Sequence, residues 1–200
     1  MTGIIDYEAG NIRSVENAMK RLGACYAVSS DLAFLSGCDR LILPGVGDAS
    51  WAMTKLVEKG LADFIRNTDR PLLGICLGMQ LLCSRSEEGD VDCLGIFPNR
   101  VRHFSSAFQD NAALKVPQVG WNDIVSLKTG LFDGVAEGSY VYFVHSYFAD
   151  IGEDTASVTE YGIPFSSALC RGNFMGCQFH PEKSGDVGER ILSNFLRLRP

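Results

Sequence analysis

The stretch LLGICLGMQLLC, Leu72 to Cys83, places Cys76 between Gly74 and Gly78, where an apolar run turns into a helical pattern. A buried structural thiol behaves as a small hydrophobe and asks nothing of the backbone around it. A strand that passes abruptly into a helix does: it forces the residue at the bend into a strained conformation and requires small neighbours on both sides. Gly74-Ile75-Cys76-Leu77-Gly78 therefore reads as a nucleophile elbow. Such a turn sets Cys76 at a helix N-terminus, where unpaired amides and the dipole favour the thiolate. The Leu77 N–H then points to where an oxyanion would develop.

A thiolate nucleophile needs a base, and the chain has three histidines. His103 lies in a mixed polar strand. His145 ends the apolar run YVYFVH and either sits near a substrate or terminates a core strand. His180 ends MGCQFH and opens HPEKS. On an extended chain residues i and i+2 share a face, so His180 and Glu182 point together while Pro181 stiffens the link. The carboxylate can hold one tautomer of the imidazole and leave the other nitrogen to take the proton of Cys76. A third element is LILPGVGDAS, whose Gly45 and Gly47 let a peptide unit flip to supply a second oxyanion donor. This loop lacks the Lys-Ser/Thr ending of a P-loop and the spacing of a dinucleotide fingerprint.

These residues need a scaffold, and the first half of the chain supplies alternating strands and helices. GIID precedes Ile12, Val15, Met19 and Leu22 at helical spacing, with Gly23 as the stop. RLILPG precedes a helix from about Ala49 to Lys59, and RPLLGIC precedes one from Leu77 to Cys83. That alternation predicts a parallel sheet covered on both faces. From Leu94 to Phe179 the texture changes to short β-rich pieces: NRVRHF, GWNDIVSL, YVYFVHSYF, TASVTEY, SSALCR and FMGCQFH. These add mixed or antiparallel strands. VGERILSNFLRL closes the chain as an amphipathic helix.

Composition narrows the function classes. A chain of 200 residues with 46% hydrophobic content suits a single domain, 1–200, without disulfide staples. The net charge is −6, and no Lys/Arg cluster is dense enough to track a phosphate backbone, so nucleic acid is not an expected partner. No apolar run approaches the ~18 residues of a membrane span, and the opening residues lack a signal-peptide core. The seven cysteines include no Cys-x-x-Cys pair, which argues against a disulfide framework or a zinc knuckle. A cytoplasmic protein is expected.

Leu-Pro-Gly-Val-Gly, Gly-Ile-Cys-Leu-Gly-Met-Gln and Gln-Phe-His-Pro-Glu, in that order, resemble the class I (triad) glutamine amidotransferase family over nearly the whole chain. The resemblance implies a flavodoxin-like α/β fold: a central mixed, mainly parallel sheet flanked by helices, with antiparallel strands added in the second half. It also implies a glutaminase in which Cys76 attacks the side-chain amide of L-glutamine, forms a glutamyl thioester and releases ammonia. His180 would act as base and then acid, with Glu182 orienting it. The oxyanion would be held by Leu77 N–H and, after a flip of the Gly45-Val46 peptide next to Gly47, by Val46 N–H. Gln80 and Glu88 resemble residues that bind the α-substituents of glutamine, and Ser146 and Tyr147 resemble backbone contacts to it. No metal or organic cofactor is implied.

DYEAGNIRSV, SEEG, PQVGWN, YFVHSY and HPEKS resemble the branch of the family that serves histidine biosynthesis. That branch implies a heterodimer with a cyclase, a (β/α)8 barrel that conducts the ammonia to its own site. Asn11, Trp121, Tyr142 and Lys183 match positions that face the partner. Two departures stand out: Gln118-Val119 replaces a usual His-Met, and Cys83-Ser84 replaces an aromatic followed by an acid. The alternatives are a sister glutaminase of pyridoxal phosphate or anthranilate synthesis, and a stand-alone cysteine hydrolase.

Overall fold

The computed structural model describes residues 1–8, 10–107 and 114–198; Ala9, inside the DYEAG stretch, lies outside them. The first half runs β1 (Thr2–Ile5), α1 (Ile12–Arg21), β2 (Tyr26–Ser29), α2 (Leu32–Ser36), β3 (Arg40–Leu43), α3 (Ala49–Glu58), α4 (Leu61–Asn67), β4 (Leu72–Ile75) and α5 (Leu77–Leu82). Short strands β5 (Arg85–Ser86) and β6 (Val91–Asp92) flank a 3-10 turn at Glu88–Asp90, and β7 (Arg100–His103) leads into α6 (Phe104–Ala107). The second half is β8 (Gln118–Ile124), β9 (Ser139–His145), β10 (Tyr147–Ala149), β11 (Thr155–Glu160), β12 (Pro164–Arg171), β13 (Phe174–Cys177) and the closing helix α7 (Gly185–Arg197).

The main sheet has the order β2-β1-β3-β4-β13-β12-β10-β7-β5-β6, with β11 added beside β12. From β2 to β13 every pairing is parallel. From β13 through β12 and β10 to β7 every pairing is antiparallel. The central strands β1 and β4 are buried along their whole length, as a sheet covered on both faces requires. Side chains alternate across it. Ile5, Leu41, Leu43 and Leu72 join a core with α3, α4 and α5, while Ile4, Ile42, Leu73 and Ile75 join a second core with α1 and α7.

The helices start where the sequence allows. Asn11 precedes α1 in the left-handed region at φ 71°, which asparagine tolerates better than most residues. Asp48 caps α3, its carboxylate accepting from Trp51 N at 2.8 Å. Along α7, Ile191, Leu192 and Phe195 form the buried stripe.

The structure divides one predicted piece. YVYFVHSYF breaks at Ser146: β9 pairs with β8 in a separate two-stranded ribbon, whereas β10 enters the main sheet between β12 and β7. FMGCQFH also stops early as a strand, at Cys177, and leaves Gln178 and Phe179 in a bend before His180. Both interruptions abut the same cavity. Among the described residues no helix is long and apolar enough to cross a membrane.

Candidate active site

Cys76 is the single residue between β4 and α5, and its backbone is bent to φ 53°, ψ −112°. Positive φ is a sparsely populated state for a residue with a side chain and is tolerated when the surroundings over-determine it. They do so here. Cys76 N donates to Cys177 O at 2.8 Å, so β13 pins the bend. A Cβ on Gly78 would lie 1.9 Å from Leu43 O, and one on Gly74 would lie 2.7 Å from Gly78 and from Met79 N. The two glycines let α5 dock against the ends of β3 and β4 at a distance no other residue permits.

The second half of the chain brings His180 to this elbow. His180 N donates to Tyr142 O at 2.9 Å, which ties the bend after β13 to the ribbon strand β9. Its Nδ1 lies 2.8 Å from Glu182 Oε1, and both side chains are buried. Glu182 Oε1 also accepts from Asn11 Nδ2 at 3.2 Å. The other ring nitrogen of His180, Nε2, is buried and has no hydrogen-bond partner within bonding distance among the described residues, and the Cys76 sulfur acts on this ring from close by. Burial opposes a charge on this ring, but the Cys76 sulfur and the Glu182 carboxylate outweigh it and hold the pKa up at about 10. These two neighbours favour the protonated ring, the form in which an imidazole can act as a general acid.

A cavity of about 320 Å³ opens over the sulfur, lined by Val46, Gly47, Cys76, Leu77, Gln80, Glu88, Ser146, Tyr147 and His180. Pro117, Val144 and His145 complete the wall. Gly45 and Glu182 stand behind it. A Cβ on Gly45 would meet the Tyr7 hydroxyl at 2.6 Å and Gly78 N at 2.9 Å, and that hydroxyl donates to Pro44 O at 2.9 Å. Burial first, and then Cys76, push the Tyr7 phenol well above its usual pKa.

Glu88 does more than face the cavity. Its Oε2 accepts from Ala49 N at 3.0 Å at the start of α3, and burial raises its pKa against that hydrogen bond. Gln80 is buried on α5, its Nε2 donating to Tyr147 O at 3.0 Å and to Gln178 Oε1 at 2.9 Å.

His145 sits in the cavity wall at the end of β9. Its Nδ1 lies 2.7 Å from Tyr147 O, and Gln118 Oε1 lies 2.9 Å from Nε2. Burial, with a smaller push from His180, lowers its pKa to about 4 against the Tyr147 bond. A carbonyl only accepts, so the neutral ring carries its proton on Nδ1, and the Gln118 amide, placed with Oε1 toward Nε2, must turn over to offer its NH2 to that bare nitrogen. His103 lies outside this cavity; its ring packs on Tyr147 at 4.7 Å, and its Nδ1 accepts from Ser105 N.

Asn11, Trp121, Tyr142 and Lys183 are absent from the lining and gather behind the His180–Glu182 pair. Trp121 is directly opposite Tyr142 in the ribbon, with ring centroids 6.0 Å apart, and is 56% exposed, which removes it from the core. Lys183 is exposed next to Glu182. Sequence reasoning gave no role to Gln178, although the parity of Gly176, Gln178 and His180 was a usable signal: it puts a polar side chain on the face that meets α5. The Tyr7–Pro44 bond had no signal, because it joins segments far apart in the chain.

The family described as glutamine amidotransferase class-I matches residues 3–198. The chain is 52% identical over 195 residues to the imidazole glycerol phosphate synthase subunit HisH of Bacteroides fragilis, covering 98% of both. It is 48% identical over 195 residues to the subunit of the same name in Bacteroides thetaiotaomicron, again covering 98% of both. A solved glutamine amidotransferase superposes with a TM-score of 0.73 at 21% identity, over 98% of this chain and 96% of that one, which shows a common fold.

Proposed function

The chain belongs to the class I glutamine amidotransferase family, and from that premise we propose that it is the glutaminase subunit of an imidazole glycerol phosphate synthase, hydrolysing L-glutamine to glutamate and ammonia. The observation that carries the mechanism is the His180–Glu182 pair set against Cys76 at its strained elbow, over one cavity.

On this reading each step draws on a group gathered around the one cavity. The Cys76 thiolate attacks the carboxamide carbon of glutamine, and the carbonyl π pair moves to oxygen. The Leu77 N–H receives that charge, joined by Val46 N–H once the Gly45-Val46 peptide turns toward it. Collapse breaks the C–N bond, and the His180 imidazolium gives its proton to the departing nitrogen, leaving ammonia and a glutamyl thioester. Neutral His180 then takes a proton from water as it attacks the thioester. Glutamate leaves, the sulfur regains its pair and His180 its proton. Gln80, Glu88 and the backbone of Ser146 and Tyr147 hold the α-substituents. No step calls for a metal or an organic cofactor.

Ammonia released to solvent would be protonated and lost, so the glutaminase works with a cyclase of the (β/α)8 barrel type, a lyase partner that receives ammonia through its interior. Trp121 and Tyr142, large and amphipathic, anchor that interface, with Asn11 and Lys183 beside them. This is a cytoplasmic reaction of histidine biosynthesis.

The test is ammonia release by three folded variants in the presence of the cyclase. Cys76→Ser should abolish it, because a serine hydroxyl is far less ionised than a thiolate. His180→Ala should lower it by about two orders of magnitude or more, and His103→Ala should leave it nearly unchanged. Substantial turnover by Cys76→Ser would remove Cys76 from the mechanism. Full wild-type activity without any partner would favour a stand-alone hydrolase.

A further inference from the structure

Gln178 is fully buried, in the bend between β13 and His180, and its Nε2 lies 3.7 Å from the Cys76 sulfur. Its Oε1 accepts from Gln80 Nε2 at 2.9 Å, and the same Nε2 donates to Tyr147 O at 3.0 Å. The direction of this chain of bonds is not arbitrary. A backbone carbonyl only accepts, so Tyr147 O compels Gln80 to turn its NH2 toward it. The second N–H of that group then points at Gln178, which must answer with its oxygen. Gln178 therefore has its own NH2 on the sulfur side.

We propose that Gln178 is a positioning residue for the nucleophile: its amide N–H, oriented through Gln80 by the Tyr147 carbonyl, stabilises and aims the Cys76 thiolate. A sulfur anion is a far better acceptor than a thiol or a thioester sulfur, so the bond is strongest in the attacking form and weakens as the S–C bond forms. The proposal rests on the reading of Cys76 as the nucleophile. It also couples the two ends of the site. Both N–H groups of Gln80 are spent on the relay, which leaves its amide oxygen for the ammonium of the substrate.

The readout is the pH dependence of Cys76 alkylation by iodoacetamide, followed by the mass of the Cys76 peptide, in the full-length wild type and two variants. Gln178→Met keeps the length and removes the amide; its half-alkylation pH should rise by about one unit, the tenfold effect of a lost hydrogen bond to a charged group. Gln178→Glu still accepts from Gln80 but sets a carboxylate against the sulfur, and its half-alkylation pH should rise further. A merely structural role would not produce that order. In wild-type protein, the side-chain amide nitrogen resonance of Gln178 should move when Cys76 is alkylated, a measurement that does not depend on any variant folding. Unchanged profiles in both variants, a Gln178→Glu profile no higher than that of Gln178→Met, or a Gln178 resonance indifferent to alkylation would overturn the proposal. Glutamine hydrolysis by the wild type reports separately on the underlying reading.

Discussion

Asn11 Nδ2 donates to Glu182 Oε1 at 3.2 Å, on the same carboxylate oxygen that holds His180. A residue expected to face the partner thus touches the carboxylate that orients the base. Hydrogen bonds to charged groups contribute about 1.5–3 kcal/mol, so losing this one should lower kcat by about tenfold. Because Asn11 sits at φ 71°, glycine is the substitution that removes the side chain without straining the backbone. Asn11→Gly should lower kcat in the complex while the KM for glutamine stays near wild type, since Asn11 does not line the cavity. A raised KM with unchanged kcat would show that its bond to Glu182 is idle.

The elbow carries a stability prediction. A Cβ at position 78 would overlap Leu43 O at 1.9 Å, and that atom is backbone in the centre of the sheet. Gly78→Ala should destabilise the fold by about 3 kcal/mol, the upper range for overpacking. Gly130→Ala, where a Cβ would meet only Asp133 Oδ2 at 3.6 Å, should change stability by less than about 1 kcal/mol. Urea unfolding of the two variants compares them directly; equal midpoints would mean that α5 can back away from β3.

The elbow was legible because its demand is local: two glycines at fixed distances from a cysteine report a close approach whatever the rest of the chain does. The units β1–α1, β3–α3 and β4–α5 were legible for the same reason, since turn signals bound them, whereas the edge strand β2 and the short helices α2 and α4 were not singled out. Nor was the division of β9 from β10 legible. Tyr140 to Phe148 is one apolar-rich run, and only the competition of two sheets for its backbone breaks it at Ser146. Gln178 escaped for a related reason. A buried amide is indistinguishable in sequence from a surface one until Gln80, Tyr147 and Cys76, each on a different element, are seen around it. Gln118 acquired its meaning in the same way, as the cross-strand partner of His145.

His145 gives a pH prediction. Its pKa falls from 6.5 to about 4 on folding, so between those values the unfolded chain binds more protons and stability rises with pH. The contribution is fully present above about pH 6.5 and is lost as pH falls toward 4, by about 3 kcal/mol in total. His180 has the opposite sign. With its pKa raised to about 10, its contribution is present below pH 6.5 and is lost as pH rises through 10, so it does not add to the acid slope. Urea unfolding from pH 4.5 to 7.5 should show a shallower acid slope for His145→Gln than for wild type. Identical slopes would mean that His145 titrates in the folded state as it does in the unfolded chain.

On the proposed reading, the loop before α3 would serve as a local hinge that switches the glutaminase. Pro44 O is anchored by the Tyr7 hydroxyl, Gly45 is pressed against Gly78 N, and Gly47 sits at φ 105°, free of contacts on its missing side chain. These contacts leave the Gly45-Val46-Gly47 peptides, at the cavity edge beside Leu77, as the place where the loop would turn. One oxyanion donor is worth about 2.7–4 kcal/mol, a hundred- to a thousandfold in turnover, so a loop that withholds the Val46 N–H leaves the isolated chain nearly silent. The cyclase, with its own nucleotide ligand bound, must favour the turned loop by a comparable differential energy, because equal affinity for both states shifts nothing. Steady-state ammonia release should therefore climb by about two to three orders of magnitude from the isolated chain to the ligand-bound complex. Tyr7→Phe removes the Pro44 anchor and lets the resting loop sample both states, so it should raise the isolated chain's turnover and shrink the ratio. If Tyr7→Phe leaves both rates as they were, the hinge is not where the switch resides.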